Sequence, residues 1–89
     1  MDVTVSAFGF WQMMLRIKRM QIRTEGTLLD LIKTLNSLSA GDLKDRVLTT
    51  DGDLDAKFKI FVNGRACDTL ATKLAEGDDI VLYSVIDGG

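Results

Sequence analysis

Few residues of this 89-residue chain could carry covalent chemistry. It has no histidine and a single cysteine, Cys67. That removes the Ser-His and Cys-His arrangements of nucleophilic catalysis, and metal sites built on His or several Cys. It also removes any internal disulfide, so Cys67 reads as a small, partly buried apolar residue. The carboxylates offer no acid–base pair. Asp51-Gly52-Asp53 with Asp55 resembles the start of a calcium loop, but Gly stands at the wrong loop position and no bidentate Glu follows at the twelfth. What remains is the end of the sequence, Ile86-Asp87-Gly88-Gly89. Two glycines there by chance have odds of about one in two hundred, because Gly is roughly 7% of an average protein. Lacking Cβ atoms, Gly88 and Gly89 can pass a narrow channel and adopt φ values closed to other residues. A carboxylate at Gly89 is a poor electrophile, yet once activated it becomes an acyl donor.

The rest of the chain must position that end. The length suits one domain with one core, and a hydrophobic fraction of 46% is ordinary for a globular protein. A formal charge of −2 argues against a nucleic-acid footprint. The basic cluster Arg16, Lys18, Arg19 and Arg23 reads as the solvated side of a strand. Met1-Asp2-Val3-Thr4 lacks the basic and apolar regions of a signal peptide, and no stretch reaches the length of a membrane span. A reduced, cytoplasmic setting is expected.

Val3, Val5 and Ala7 alternate with Thr4 and Ser6, the pattern of a half-buried strand. The apolar run then continues through Phe8, Phe10, Trp11, Met13, Met14 and Leu15, with Gly9 as one break, so pattern does not locate the turn. Met20 and Ile22 alternate with Arg19, Gln21 and Arg23, and the two segments predict an opening hairpin. Thr27 with Asp30 resembles a capping box. Leu28, Leu31, Ile32 and Leu35 follow at i, i+3, i+4 and i+7, a helix stripe that Leu38 extends. Residues 40–55 read as an exposed polar connection with a short helix at 42–48. Phe58, Ile60 and Val62 mark a third strand, and Asn63-Gly64 a type I′ hairpin. Residues 65–68 then return. Leu70 and Leu74 anchor a turn or short helix, residues 76–79 form a tight turn, and residues 80–85 are a final β-branched strand. One long helix burying its stripe on one sheet face gives an α+β roll, in which first and last strands could run parallel.

The pattern V-N-G-R…L…E-G-D-D-I-V-L-Y…G-G resembles the second half of the molybdopterin-synthase small subunit and thiazole sulfur-carrier family (MoaD/ThiS). There a "VNG" hairpin precedes an "L-x-x-G-D-x-V" turn-strand and a terminal Gly-Gly. The strand-strand-helix order of the first half also fits. The resemblance implies a ubiquitin-like β-grasp, a mixed four- to five-stranded sheet on one main helix plus a short second helix. It makes residues 1–85 the domain and 86–89 a Gly-Gly tail. It further implies a carrier with no bound cofactor and no catalysis of its own. An E1-like enzyme adenylates the Gly89 carboxylate with ATP, and sulfur replaces one oxygen to give a thiocarboxylate. The acceptor enzyme is the large subunit of molybdopterin synthase or another of its kind.

In the β-grasp pattern Ile80 and Leu82 face the helix. Val81, Tyr83 and Val85 then face outward beside Phe61 and Phe8, an apolar patch of the kind that marks a partner site. Three alternatives stay open at this point: a thiazole or other sulfur pathway, a protein modifier joined to target lysines through Gly89, and an interaction module with an incidental Gly-Gly.

Overall fold

The computed structural model describes residues 1–39, 42–67 and 69–84. Strand β1 (Asp2–Ala7) leads into helix α1 (Phe10–Leu15), strand β2 (Arg19–Arg23), helix α2 (Leu28–Leu38) and helix α3 (Leu43–Val47). Strands β3 (Phe58–Val62), β4 (Arg65–Ala66) and β5 (Asp79–Ser84) follow. They form one sheet in the order β2-β1-β5-β3-β4. β1 and β5 lie parallel at its centre, and every other pairing is antiparallel. A mixed five-stranded sheet on one main helix is what the family resemblance implies.

The alternation of each strand sorts its residues between two faces. Val3, Val5, Ala7, Ile22, Phe58, Ile60, Ile80 and Leu82 are buried, and with Leu28, Leu31, Ile32 and Leu35 of α2 they make the core. Each of those four α2 side chains contributes about 1.5–3 kcal/mol of burial. The helix starts where the sequence predicts. The Thr27 hydroxyl accepts the Asp30 N–H at 3.4 Å, while the Asp30 carboxylate accepts the Thr27 N–H at 2.9 Å. These bonds from Thr27, backbone first and hydroxyl second, hold the Asp30 carboxyl below its usual range. Gly26, at φ +75, lies so close that a Cβ there would run into the Asp30 carboxylate. At the hairpin, Asn63 and Gly64 both take positive φ (52° and 82°), as a type I′ turn requires.

Three expectations need correction. First, β1 and β2 do pair, but not as a tight hairpin: α1 occupies the connection. Gly9 (φ 62) precedes it, and Arg16 (φ 60) ends it by donating its N–H to the Gln12 carbonyl. The unplaceable apolar run is thus one short helix between two positive-φ residues. Second, Leu38 does not extend the buried stripe; it is 60% exposed. Third, residues 42–48 are more than an exposed connection. Leu43 and Val47, four apart on α3, are fully buried and close the core beside α2 in its place. The expected return strand is described only at Arg65–Ala66, since Asp68 lies outside the described residues.

Candidate functional site

β5 is the element that leads to the Gly-Gly end, so the site begins with how β5 is held. Its last described residue, Ser84, is buried although polar. Its parity explains this: Ile80, Leu82 and Ser84 all point inward. The Ser84 Oγ accepts the Phe10 N–H at 2.8 Å. One residue earlier, the Tyr83 carbonyl accepts the Trp11 indole N–H at 3.1 Å. One more residue back, the Leu82 carbonyl accepts the Phe8 N–H at 2.9 Å. Residues 8–11 therefore bind three successive positions of β5.

The Phe10 N–H is free to do this because the first N–H groups of a helix have no partner within it. Fully buried Trp11 stands edge-on to Phe58, with ring centroids 5.4 Å apart. Phe58 pairs with Ser84 across the sheet. Phe10 packs on Phe58 at 5.9 Å, and the Arg46 guanidinium lies 6.0 Å from the centre of the Phe10 ring. Bonds and packing together fix the described end of β5, from Leu82 to Ser84. Alternation and motif do not single out Trp11, Phe10 or Ser84. The available signal was a serine at an inward position of an apolar strand.

The second part of the site is the sheet face turned away from α2. Register places Ser6 beside Val81 and Val81 beside Phe61, which pairs in turn with Ala66. Tyr83 pairs with Lys59. Phe8, one residue past the Ala7–Leu82 pair, stands level with Tyr83. The structure thus gathers Phe8, Phe61, Val81 and Tyr83 on neighbouring positions. Phe8 and Tyr83 are 48% and 46% exposed, whereas Phe61 and Val81 are half-buried. Val85, Gly88 and Gly89 lie outside the described residues.

Elsewhere on the molecule the chemistry is sparse. Cys67 is half-buried, its Sγ 3.6 Å from the Arg65 carbonyl oxygen. Among the described residues no three of His, Cys, Asp and Glu gather as metal ligands. The Asp51–Asp53 stretch is a turn tied by backbone bonds, with the Thr49 N–H donating to the Asp53 carbonyl at 2.7 Å. Among the described residues the ion pairs are Asp2–Arg23 (3.2 Å) and Asp42–Arg46 (2.8 Å). The Arg23 guanidinium, by hydrogen bond and then by charge, holds the Asp2 carboxyl below its ordinary value. No helix among the described residues is long and apolar enough to cross a membrane.

A central parallel pair, a long helix across one face and an exposed opposite face define a ubiquitin-like β-grasp. No family model matches the chain. A protein of Archaeoglobus fulgidus assigned as a sulfur carrier is 33% identical over 66 residues, covering 71% of this chain and 74% of that protein. The small archaeal modifier protein SAMP1 of Haloferax volcanii superposes with a TM-score of 0.82 over 99% of both chains, at 23% identity. The Pyrococcus furiosus protein assigned as molybdopterin converting factor subunit 1 superposes with a TM-score of 0.74 at 21% identity, over 96% of this chain and 98% of its own. The chain belongs to the MoaD/ThiS-like family of sulfur carriers.

Proposed function

We propose that this protein carries sulfur as a thiocarboxylate on Gly89 and delivers it in cofactor biosynthesis, with molybdopterin as the favoured product. The observation that carries this reading is the anchoring of β5. Trp11, Phe10 and Phe8 bind its last three described positions, so the strand that precedes Gly88-Gly89 in sequence is fixed at its described end. A reactive end needs that combination. Binding energy from the folded body can hold the terminus at a partner's reacting centre only if the connection to it is short and its origin fixed.

The chemistry divides between proteins. An E1-like enzyme uses ATP to convert the Gly89 carboxylate to an acyl adenylate, releasing pyrophosphate. A sulfur donor then displaces AMP and leaves the thiocarboxylate. The carrier contributes no base and no nucleophilic side chain; it presents the end and the docking face formed by Phe8, Phe61, Val81 and Tyr83, with Val85 as its continuation. The acceptor is the large subunit of molybdopterin synthase or a related sulfur-accepting enzyme, in a reduced cytoplasmic setting. The likeness to SAMP1 favours a second reading, conjugation of Gly89 to target lysines, which begins with the same activation.

The test is intact-mass analysis after incubation with ATP, the adenylating enzyme of the same cell and a sulfur donor. Exchange of one oxygen for sulfur within the last peptide is expected. Failure of that enzyme to activate the chain contradicts the proposal. Recovery of the chain covalently attached to other proteins would favour the second reading.

A further inference from the structure

The exposed sheet face is electrically polarised along its strands. β1 and β5 run parallel, so Asp2 and Asp79 begin one end of the face while Phe8 and Tyr83 stand at the other, where the chain leaves β5. At the first end Glu76 joins Asp2 by accepting its N–H at 3.1 Å, and Asp78 precedes Asp79. Arg23 lies there too but is paired with Asp2. At the exit end the exposed charges on the strands themselves are positive. Arg19 pairs with Ser6 in the row of Val81 and Phe61, and Lys59 pairs with Tyr83. Both are exposed, and neither belongs to an ion pair among the described residues. They lie on β2 and β3, about 14 Å apart across the sheet and offset by two residues along it. The apolar patch sits between them.

A basic residue on an edge strand is a common guard against strand addition, which would account for Arg19 on β2. The same reason can be given for Lys59, since among the described residues β4 pairs β3 only at Phe61 and Val62, but edge guarding does not explain why both side chains border the apolar patch. Nor does the chain's overall charge, which is negative. A local positive rim on an acidic protein is a directional feature, and such features steer association with surfaces of opposite sign.

Building on the carrier reading above, we infer that the partner docked on this face is a protein surface whose apolar seat is rimmed by Asp and Glu on the side nearest its reaction centre. Arg19 and Lys59 meet that acidic rim. The acidic end of the face points away from it, so electrostatics orient the encounter with the Tyr83–Ser84 end of β5 leading.

The test is stopped-flow association of the labelled full-length chain with its adenylating enzyme at about 50 and about 500 mM salt, where screening lengths differ severalfold. The wild-type association rate should fall about tenfold or more across that range. The double variant Arg19→Glu, Lys59→Glu should associate about tenfold slower at low salt and lose most of the salt dependence. The double variant Lys33→Glu, Lys44→Glu changes net charge equally on the exposed sides of α2 and α3, and it should stay within about twofold of wild type. Circular dichroism confirms that all three chains are folded. Association indifferent to salt and to Arg19 and Lys59, or slowed equally by the helix-side changes, overturns the inference while leaving the carrier reading intact. A wild-type chain that does not associate at any salt removes both.

Discussion

The indole N–H of Trp11 donates to the backbone carbonyl of Tyr83 across 3.1 Å, so a residue whose side chain is exposed on the outer face of β5 is held through its main chain by a fully buried tryptophan. The two faces of the strand thereby take different roles. The inner side fixes the strand, while the outer side is left for a partner.

Trp11→Phe should expose the value of that bond. It leaves the Tyr83 carbonyl short of a donor and a gap beside Phe58, and should cost about 2–4 kcal/mol in urea unfolding. Ser84→Ala, which strands the Phe10 N–H, should cost about 1–3 kcal/mol. Both variants should also lower the rate of terminal activation more than they weaken docking, because the face itself is untouched.

Phe61→Asp probes the docking face. Phe61 is half-buried and opposes Val81 and Ala66, so the melting temperature should fall by only a few degrees. Binding of the adenylating enzyme, measured by calorimetry, should weaken at least about tenfold. Unchanged affinity would remove the patch from the account.

The helix start carries a pH dependence. The Asp30 carboxyl titrates below its usual range because Thr27 donates to it. Its folded pKa is thus lower than its unfolded one. The stabilisation is complete above the unfolded value, near pH 4, and is lost as pH falls through the folded value. Asp2 acts in the same direction through Arg23, weakly because the pair is exposed. Thermal melts from neutral to acid pH should decline less steeply in Asp30→Ala than in wild type.

Gly26→Ala should be costly for its size. A positive φ and the Asp30 carboxylate both oppose a methyl group there. Loss of roughly 1–2 kcal/mol in chemical unfolding is expected, with the capping box disturbed.

Where a physical rule has a short range, the sequence was readable. Alternation marked β1, β2 and β3, a β-branched run marked β5, the Thr27–Asp30 spacing marked the start of α2, and Asn63-Gly64 marked the hairpin. The connection holding α1 was not readable. Phe8 to Leu15 is apolar with little contrast, and its stop is an arginine in the left-handed region, a choice no local rule announces. Leu38 continued the stripe in spacing, but α3 had already closed the core at that end, a tertiary fact. The outer patch at Phe8, Phe61, Val81 and Tyr83 followed from strand parity once the β-grasp resemblance had set which side faces the helix. The bonds from Trp11 and Phe10 to β5 join residues more than seventy positions apart, and only the folded sheet brings them together.

The most direct measurement is the mass of the C-terminal peptide after reaction with ATP, the adenylating enzyme and a sulfur donor. The carrier account predicts replacement of one oxygen by sulfur at Gly89, and no such change in a chain lacking Gly88 and Gly89. An unaltered terminus in the intact chain, with the enzyme active on another carrier, would contradict it.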